Sequence, residues 1–247
     1  MTYCVGIKTH QGLVMASDSR SNAGHDQVNV CRKMHTFVQP GERAFVVLAS
    51  GSLSLTQSTI TLLRRDFNQG NGLAKAETFY EAVRIIGGYV RHVSSLDRDA
   101  LEKDGYNFNI HLIVGGQIKG EDPQLYMIYP QGNPLVATME TPFLQIGEYK
   151  YGRPILERGV VHSSTTLDSA AMYALLSFDA TMRSNVTVGP PIEILLYRSN
   201  HLQIEEYRCF AQDDSQLLSI HAQWERSLRS AVEALPKIHF NATIPNS

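Results

Sequence analysis

Three residues near the start of the chain could do chemistry together: the hydroxyl of Thr2, the carboxylate of Asp18 and the ammonium of Lys33. A threonine hydroxyl is a weak nucleophile until a base takes its proton, and a free N-terminal amine is one such base. Removal of Met1 would give Thr2 that amine, whose ordinary pKa of about 7.7–8.0 suits the task. A cation such as Lys33 beside it would lower that value, because like charge disfavours the protonated amine. Asp18 would hold Lys33 and balance its charge. With Met1 retained, the nitrogen would be an amide without basicity. On spacing alone, the plainer reading of these residues is a hairpin with a few polar side chains, and it is the stronger one.

The elements that must position them begin at the start of the chain. Residues 2–9 alternate as a strand, turn at Gln11-Gly12, and return through an apolar run ending in Ser17-Asp18-Ser19-Arg20. A tight hairpin of this kind brings Thr2 and Asp18 to the same end of one sheet. Residues 28–38 predict a further strand around Lys33, and 44–50 a β-rich run that stops at Gly51. Helices are predicted over 54–68, with Ile60, Leu63 and Phe67 in phase, and over 76–93, with Phe79, Val83, Ile86, Val90 and Val93 on one face. Gly87-Gly88 within the second suggests close helix–helix packing, and Glu102-Lys103-Asp104 a solvated turn.

Strands then recur at 107–118 and 124–129 across a Gly-Glu-Asp-Pro turn, followed by runs at 134–137 and 141–146 that are expected to complete that sheet. A short helix near 154–158, a longer one over 164–182, and a late hairpin of 191–198 with 202–207 close the pattern. Sheet, two helices, sheet, two helices and a hairpin suit two face-to-face sheets with helices outside, a layered α+β fold. No repeat or linker interrupts it, so a single domain over 1–247 is expected. Within it, residues 215–235 form a C-terminal helix with Leu217, Ile220, Trp224, Leu228 and Ala231 on one stripe. That stripe suits a subunit interface or the chain's own sheet, with Trp224 favouring the interface. Residues 238–247 read as a frayed tail.

Composition removes several classes of function. Charged residues make up 19% and the net charge is −2, which predicts neither a nucleic-acid nor a membrane partner. No apolar run reaches the roughly 18 residues of a membrane span, and the start lacks the basic-then-apolar order of a secretion signal. Cys4, Cys31 and Cys209 are odd in number and scattered, as in a reducing compartment, so a cytoplasmic protein is expected. The nine histidines form no metal-ligand spacing, and no phosphate loop, dinucleotide fingerprint or Gly-x-Ser-x-Gly elbow is present. No metal and no cofactor are expected. Without a secretion signal, the sequons at Asn185 and Asn241 carry no meaning.

The order Thr2…Gly6-Ile7-Lys8-Thr9…Gly12-Leu13-Val14-Met15-Ala16-Ser17-Asp18-Ser19-Arg20…Lys33…Ala49-Ser50-Gly51-Ser52 resembles the β-subunit pattern of the proteasome family. Ile146-Gly147-Glu148-Tyr149-Lys150-Tyr151-Gly152 and Arg183-Ser184-Asn185-Val186-Thr187-Val188-Gly189-Pro190-Pro191 resemble its bacterial Anbu branch, the ancestral β-subunit. The resemblance implies the four-layer αββα sandwich of the N-terminal nucleophile hydrolases and a threonine-type peptidase working in a self-compartmentalising homo-oligomer, a ring or open spiral. Peptide or unfolded-protein substrates are implied, with an ATP-dependent unfoldase as a conceivable partner. Thr2, Asp18, Lys33 and Gly51 would be catalytic, and Arg20, Ser50 and Ser52 would pair with substrate as an added strand. Ser19, Ser184, Asn185 and Thr187 would surround the amine. Three positions depart from the pattern: Glu148 stands where relatives carry a serine, Ser184 where they carry an aspartate and Thr187 where they carry a serine. The loop between Asp18 and Lys33 is also about one residue shorter. These departures predict narrow specificity or dependence on an activating partner, and keep open a weakly active assembly or peptide-binding subunit, or a small-substrate amidohydrolase.

Overall fold

The computed structural model describes residues 2–22, 28–103 and 109–240. They fall into two units, Met1–Gln212 and Asp213–Ser247.

The first unit is built on two five-stranded antiparallel sheets. One takes β1 (Tyr3–Thr9), β2 (Gly12–Asp18), β10 (Phe143–Gly147), β11 (Ile192–Arg198) and β12 (Glu206–Phe210) in the order β10-β1-β2-β11-β12. The other runs in order through β5 (Met34–Gln39), β6 (Arg43–Gly51), β7 (Ile110–Ile118), β8 (Gln124–Ile128) and β9 (Pro134–Val136). A two-stranded ribbon of β3 (Arg20–Asn22) and β4 (Val28–Val30) stands apart.

β1 and β2 are buried almost throughout, because both faces of their sheet are covered. On the inner face Cys4, Leu13, Met15, Leu144, Ile146 and Leu195 meet Met34, Val46, Leu48, Ile113 and Leu125 of the opposing sheet. On the outer face lies α4 (Leu167–Ser184), with α3 (Arg153–Gly159) beside it. The Tyr3 ring meets Phe178 of α4 edge-on at 4.7 Å, and the Tyr3 hydroxyl donates to Ser177 Oγ. The second sheet turns Phe37, Phe45, Val47, Leu112 and Val114 towards α1 (Leu53–Asn68) and α2 (Phe79–Lys103), whose Leu63, Phe79, Val83, Ile86 and Val90 fill the second core. The layers are therefore helix, sheet, sheet, helix, the αββα sandwich of the N-terminal nucleophile hydrolases.

Several details differ from the sequence expectation. The run over 141–146 forms β10, which pairs with β1 rather than completing the β7–β8–β9 sheet. Alternation identifies a strand but is silent on its partner, and Leu144 and Ile146 find their burial at the edge of the first sheet. The expected strand over 28–38 is two strands, broken at 31–33, where Lys33 turns inward to Asp18. α2 runs on to Lys103, so the expected turn at 102–104 is helical over its first two residues, and Asp104 lies outside the described residues. Gly87 meets no helix: a Cβ there would strike the carbonyl of Gly132 in the β8–β9 turn, while Gly88 faces nearly open space. β12 begins at Glu206 rather than 202, because Asn200 and Leu202 take positive φ and lengthen the turn.

The second unit is α5 (Ser215–Glu233), capped by Asp214, whose carboxylate accepts from the amides of Gln216 and Leu217. Leu217 is buried, Trp224 is half-buried, and Leu218, Leu228 and Val232 are exposed. Of the expected frayed tail, 241–247 lie outside the described residues.

Candidate active site

The β1–β2 register sets Cys4 opposite Ser17, so Tyr3 and Asp18 share the end of the sheet. The Tyr3 amide donates to Asp18 Oδ1 at 3.0 Å. The same oxygen accepts from Lys33 Nζ at 2.6 Å, and the Gly189 amide approaches Oδ2 at 3.4 Å. Lys33 makes a second bond, to the Arg20 carbonyl at 2.6 Å. Both charges are buried, with Asp18 fully so. Burial raises the Asp18 carboxyl above its ordinary range, and Lys33, followed by the two backbone amides, pulls against that rise.

Thr2 is half-buried at the mouth of this ion pair. It lines a recess of about 40 Å³ together with Cys31, Arg32, Lys33, Ser50 and Gly51. On its other side it opens onto a cleft of about 890 Å³ lined by Ser50, Gly51, Ser52 and the apolar side chains of β8 to β10. Thr2, Lys33 and Gly51 therefore border one small volume, and Asp18 lies directly behind Lys33. Gly51 has φ of 110°, and a Cβ on it would collide with the Asn109 carbonyl, so only glycine fits here. The Ser52 amide donates to that carbonyl at 3.0 Å, which makes Gly51 and Ile110 a non-hydrogen-bonded pair and turns the Gly51 N–H away from β7.

Gly147 closes the other flank. Its φ is 85°, and a Cβ there would run into the Thr2 carbonyl. The following amide, that of Glu148, donates to the Thr2 carbonyl at 2.8 Å. The Glu148 carboxylate is buried and accepts from Asn185 Nδ2 at 3.0 Å. Asn185 Oδ1 accepts in turn from the amide and hydroxyl of Thr187, at 3.0 and 2.5 Å. Residues 185–189 thus brace both carboxylates near Thr2, Glu148 through Asn185 and Asp18 through Gly189.

The remaining sequence-predicted residues are placed unevenly. Ser50 and Ser52 line the large cleft. Arg20 does not: its guanidinium donates to the Val186 carbonyl at 2.5 Å and lies against Gly189, bracing the 185–189 segment instead. Ser19 is buried and its carbonyl accepts from Cys31 at 2.8 Å. Ser184 is exposed at the end of α4, whereas Asn185 and Thr187 join the Glu148 network. Sequence reasoning noted Glu148 as a departure but gave it no role, and the Gly147-Glu148 pair was the available signal.

A family model described as proteasome subunit matches residues 2–196. The chain belongs to the proteasome subunit family. Anbu, the ancestral β-subunit, from Yersinia bercovieri is 40% identical, with 97% of this chain and 99% of that one covered and a TM-score of 0.90. The Anbu complex from Pseudomonas aeruginosa, solved as a helical assembly, is 42% identical over 96% of this chain and 98% of that one, with a TM-score of 0.89. A proteasome subunit beta of Haloquadratum walsbyi is 24% identical over 85% of this chain and 79% of its own length. The likeness is thus to proteasome β-subunits in general and to Anbu over nearly the whole chain. Among the described residues no helix is long and apolar enough to cross a membrane, and no group of three or more His, Cys, Asp or Glu is set to hold a metal ion.

Proposed function

We propose that this family member is a threonine-type peptidase whose nucleophile is Thr2 after removal of Met1. The observation that carries the reading is the convergence of Thr2, Lys33 and Gly51 on one recess, with Asp18 bonded to Lys33 behind it. The Thr2 hydroxyl oxygen attacks a peptide carbonyl while its proton passes to the pair formed by the α-amine and the neighbouring Lys33, which Asp18 holds. The carbonyl oxygen takes up negative charge facing the Gly51 N–H, a donor of the kind worth about 2.7–4 kcal/mol to such a step. The pair returns the proton to the departing amine as the C–N bond breaks, leaving an ester on Thr2. Water then attacks the ester, giving up a proton to the same pair, and the acid fragment leaves as the threonine hydroxyl is restored.

Substrate enters as an extended peptide beside Ser50-Gly51-Ser52. We infer self-association in the cytoplasm into a compartment; the likeness to an Anbu complex solved as a helical assembly supports the self-association, and exposed Leu228 and Val232 of α5 would offer contact surface. An unfoldase would then supply unfolded chain. Thr2→Ala should abolish hydrolysis of fluorogenic peptides while native mass and thermal unfolding stay as in the wild type; retained hydrolysis would overturn the proposal. Glu148, standing where relatives carry a serine, favours a second reading, a weakly active assembly or peptide-binding subunit. Wild-type protein that binds peptides without cleaving them would support it.

A further inference from the structure

Thr2 borders two volumes of very different size. On the Lys33 side the recess of about 40 Å³, walled by Arg32, Leu53 and Thr56, has the scale of a water or a methyl group. On the other side the cleft of about 890 Å³ falls within the range of sites that enclose small molecules. That cleft is a stretch of the core between the two sheets that the chain leaves unfilled. Ile113, Met127 and Leu135 stand in one row across β7, β8 and β9, and Ile113 lies in the core between the sheets. β10 supplies Leu144 and Ile146 of the same core, with Phe143 beside them. β9 and β10 each end their sheet as an edge strand, and there the two rows face open volume instead of each other. Met127 is consequently only partly buried and Leu135 is 42% exposed. Apolar side chains gathered around open space and rimmed by polar groups mark a place where something binds.

The charges of the lining narrow what can fill it. Among the described residues no carboxylate lines the cleft, so a lysine or arginine side chain would enter without a counter-charge. Arg153 is already paired with Glu157 at 2.6 Å, which leaves an acidic side chain little to gain. Burial lowers the His111 pKa below its ordinary 6.5, so that ring is neutral near pH 7, and it stands edge-on to Tyr129. We propose that the cleft is a specificity site for a large apolar or aromatic side chain next to the bond to be cut, that the residue on the Lys33 flank must be small, and that Met127 and Leu135 set the choice. The assignment takes Thr2 as the point of cleavage, as proposed above, yet its test does not require turnover. An incoming phenylalanine or leucine completes the core that β9 and β10 leave open. Removing its surface from water supplies the selection, about tenfold or more over alanine.

The test measures binding to the full-length Thr2→Ala protein by fluorescence anisotropy. The probes are dye-labelled peptides of glycine around an alanine-X pair, with X as phenylalanine, leucine, alanine, lysine or aspartate. Phenylalanine and leucine should bind about tenfold or more tighter than alanine, and lysine and aspartate no tighter than alanine. Leu135→Glu in the same background should raise the lysine peptide above the phenylalanine one. Leu135→Trp, which fills the cleft, should weaken the phenylalanine peptide and leave the alanine one unchanged. With p-benzoylphenylalanine at X, photolysis should attach the peptide to Met127, Leu135 or Phe143. A flat series, no binding at all, attachment outside the cleft, or unchanged selectivity in both Leu135 variants with circular dichroism and native mass intact would overturn the assignment. In the wild type, cleavage of a peptide library should fall between a small residue and a large apolar one. Cleavage without that preference would sink the cleft assignment and keep Thr2 as nucleophile, whereas selective binding without cleavage would keep the cleft and sink the peptidase reading.

Discussion

Replacing Lys33 by methionine removes the partner of a fully buried carboxylate while keeping most of the side-chain volume. The pair lies at 2.6 Å with Lys33 Nζ on Asp18 Oδ1, and the lysine side chain is 8% exposed. Breaking a buried pair by deleting one member typically destabilises by about 3–5 kcal/mol. The amides of Tyr3 and Gly189 remain, at 3.0 and 3.4 Å, and offset part of the loss. The low end, about 3 kcal/mol at neutral pH, is therefore expected, or roughly 6–12 °C in Tm for a domain of this size. Burial already raises the Asp18 carboxyl, and Lys33 is the largest influence opposing that rise. In the variant the folded-state pKa rises further above its unfolded value near 3.9. A carboxyl raised in the folded state destabilises as pH climbs through its folded pKa and ceases to do so below its unfolded one. The deficit of Lys33→Met should therefore be largest at neutral pH and shrink on acidification. Urea unfolding at neutral and mildly acidic pH measures it, and the double variant Asp18→Asn with Lys33→Met should recover much of the neutral-pH loss. A deficit under about 1 kcal/mol, the range of exposed pairs, or one that does not shrink with acid, would refute the reasoning.

Three further outcomes follow from the same geometry. His35 is largely buried with Nε2 unpartnered, and burial, with Arg64 and Arg32 nearby, lowers its pKa from 6.5 to about 4. A depressed histidine contributes stability that is whole above about 6.5 and lost as pH falls to about 4, at most roughly 3 kcal/mol; His35→Gln should flatten that part of the stability profile. Gly147→Ala meets both a φ of 85° and the Thr2 carbonyl, so urea unfolding should register a loss of at least about 1–3 kcal/mol, with the reactivity of Thr2 falling alongside. Tyr3→Phe removes the hydroxyl bonded to Ser177 and Gln145, which should destabilise by only about 1 kcal/mol, because Ser177 keeps its bond to the Ala174 carbonyl and Gln145 faces the open cleft.

The parts of this fold that were legible in the sequence are those decided locally. Alternation and a two-residue turn define the β1–β2 hairpin, and that hairpin alone sets Thr2 and Asp18 at one end. The stripes of α1, α2 and α4 are likewise local, since Leu63, Val83 and Phe178 repeat at helical spacing. Partnership across long separations was not legible. β9 and β10 are both short apolar runs, yet one joins β8 and the other β1, and for β10 the choice is made by burial of Leu144 and Ile146 against residues far away in the chain. Arg20 illustrates the limit for side chains: its charge suggests a hand for substrate, but a carbonyl 166 residues away takes it. Glu148 was visible as an odd residue in a familiar turn, and only the structure gives its carboxylate a partner, Asn185, 37 residues further on.

The central claim is that Thr2 carries a free α-amine beside a reactive hydroxyl. A peptide epoxyketone bonds to both groups of an N-terminal threonine, so a single treatment followed by intact-mass and peptide-level mass spectrometry reads both at once. A chain lacking Met1 with the inhibitor on Thr2, and no adduct in Thr2→Ala, is the predicted result. Met1 still present, or a folded Met1-free protein that takes up no inhibitor at Thr2, would contradict it.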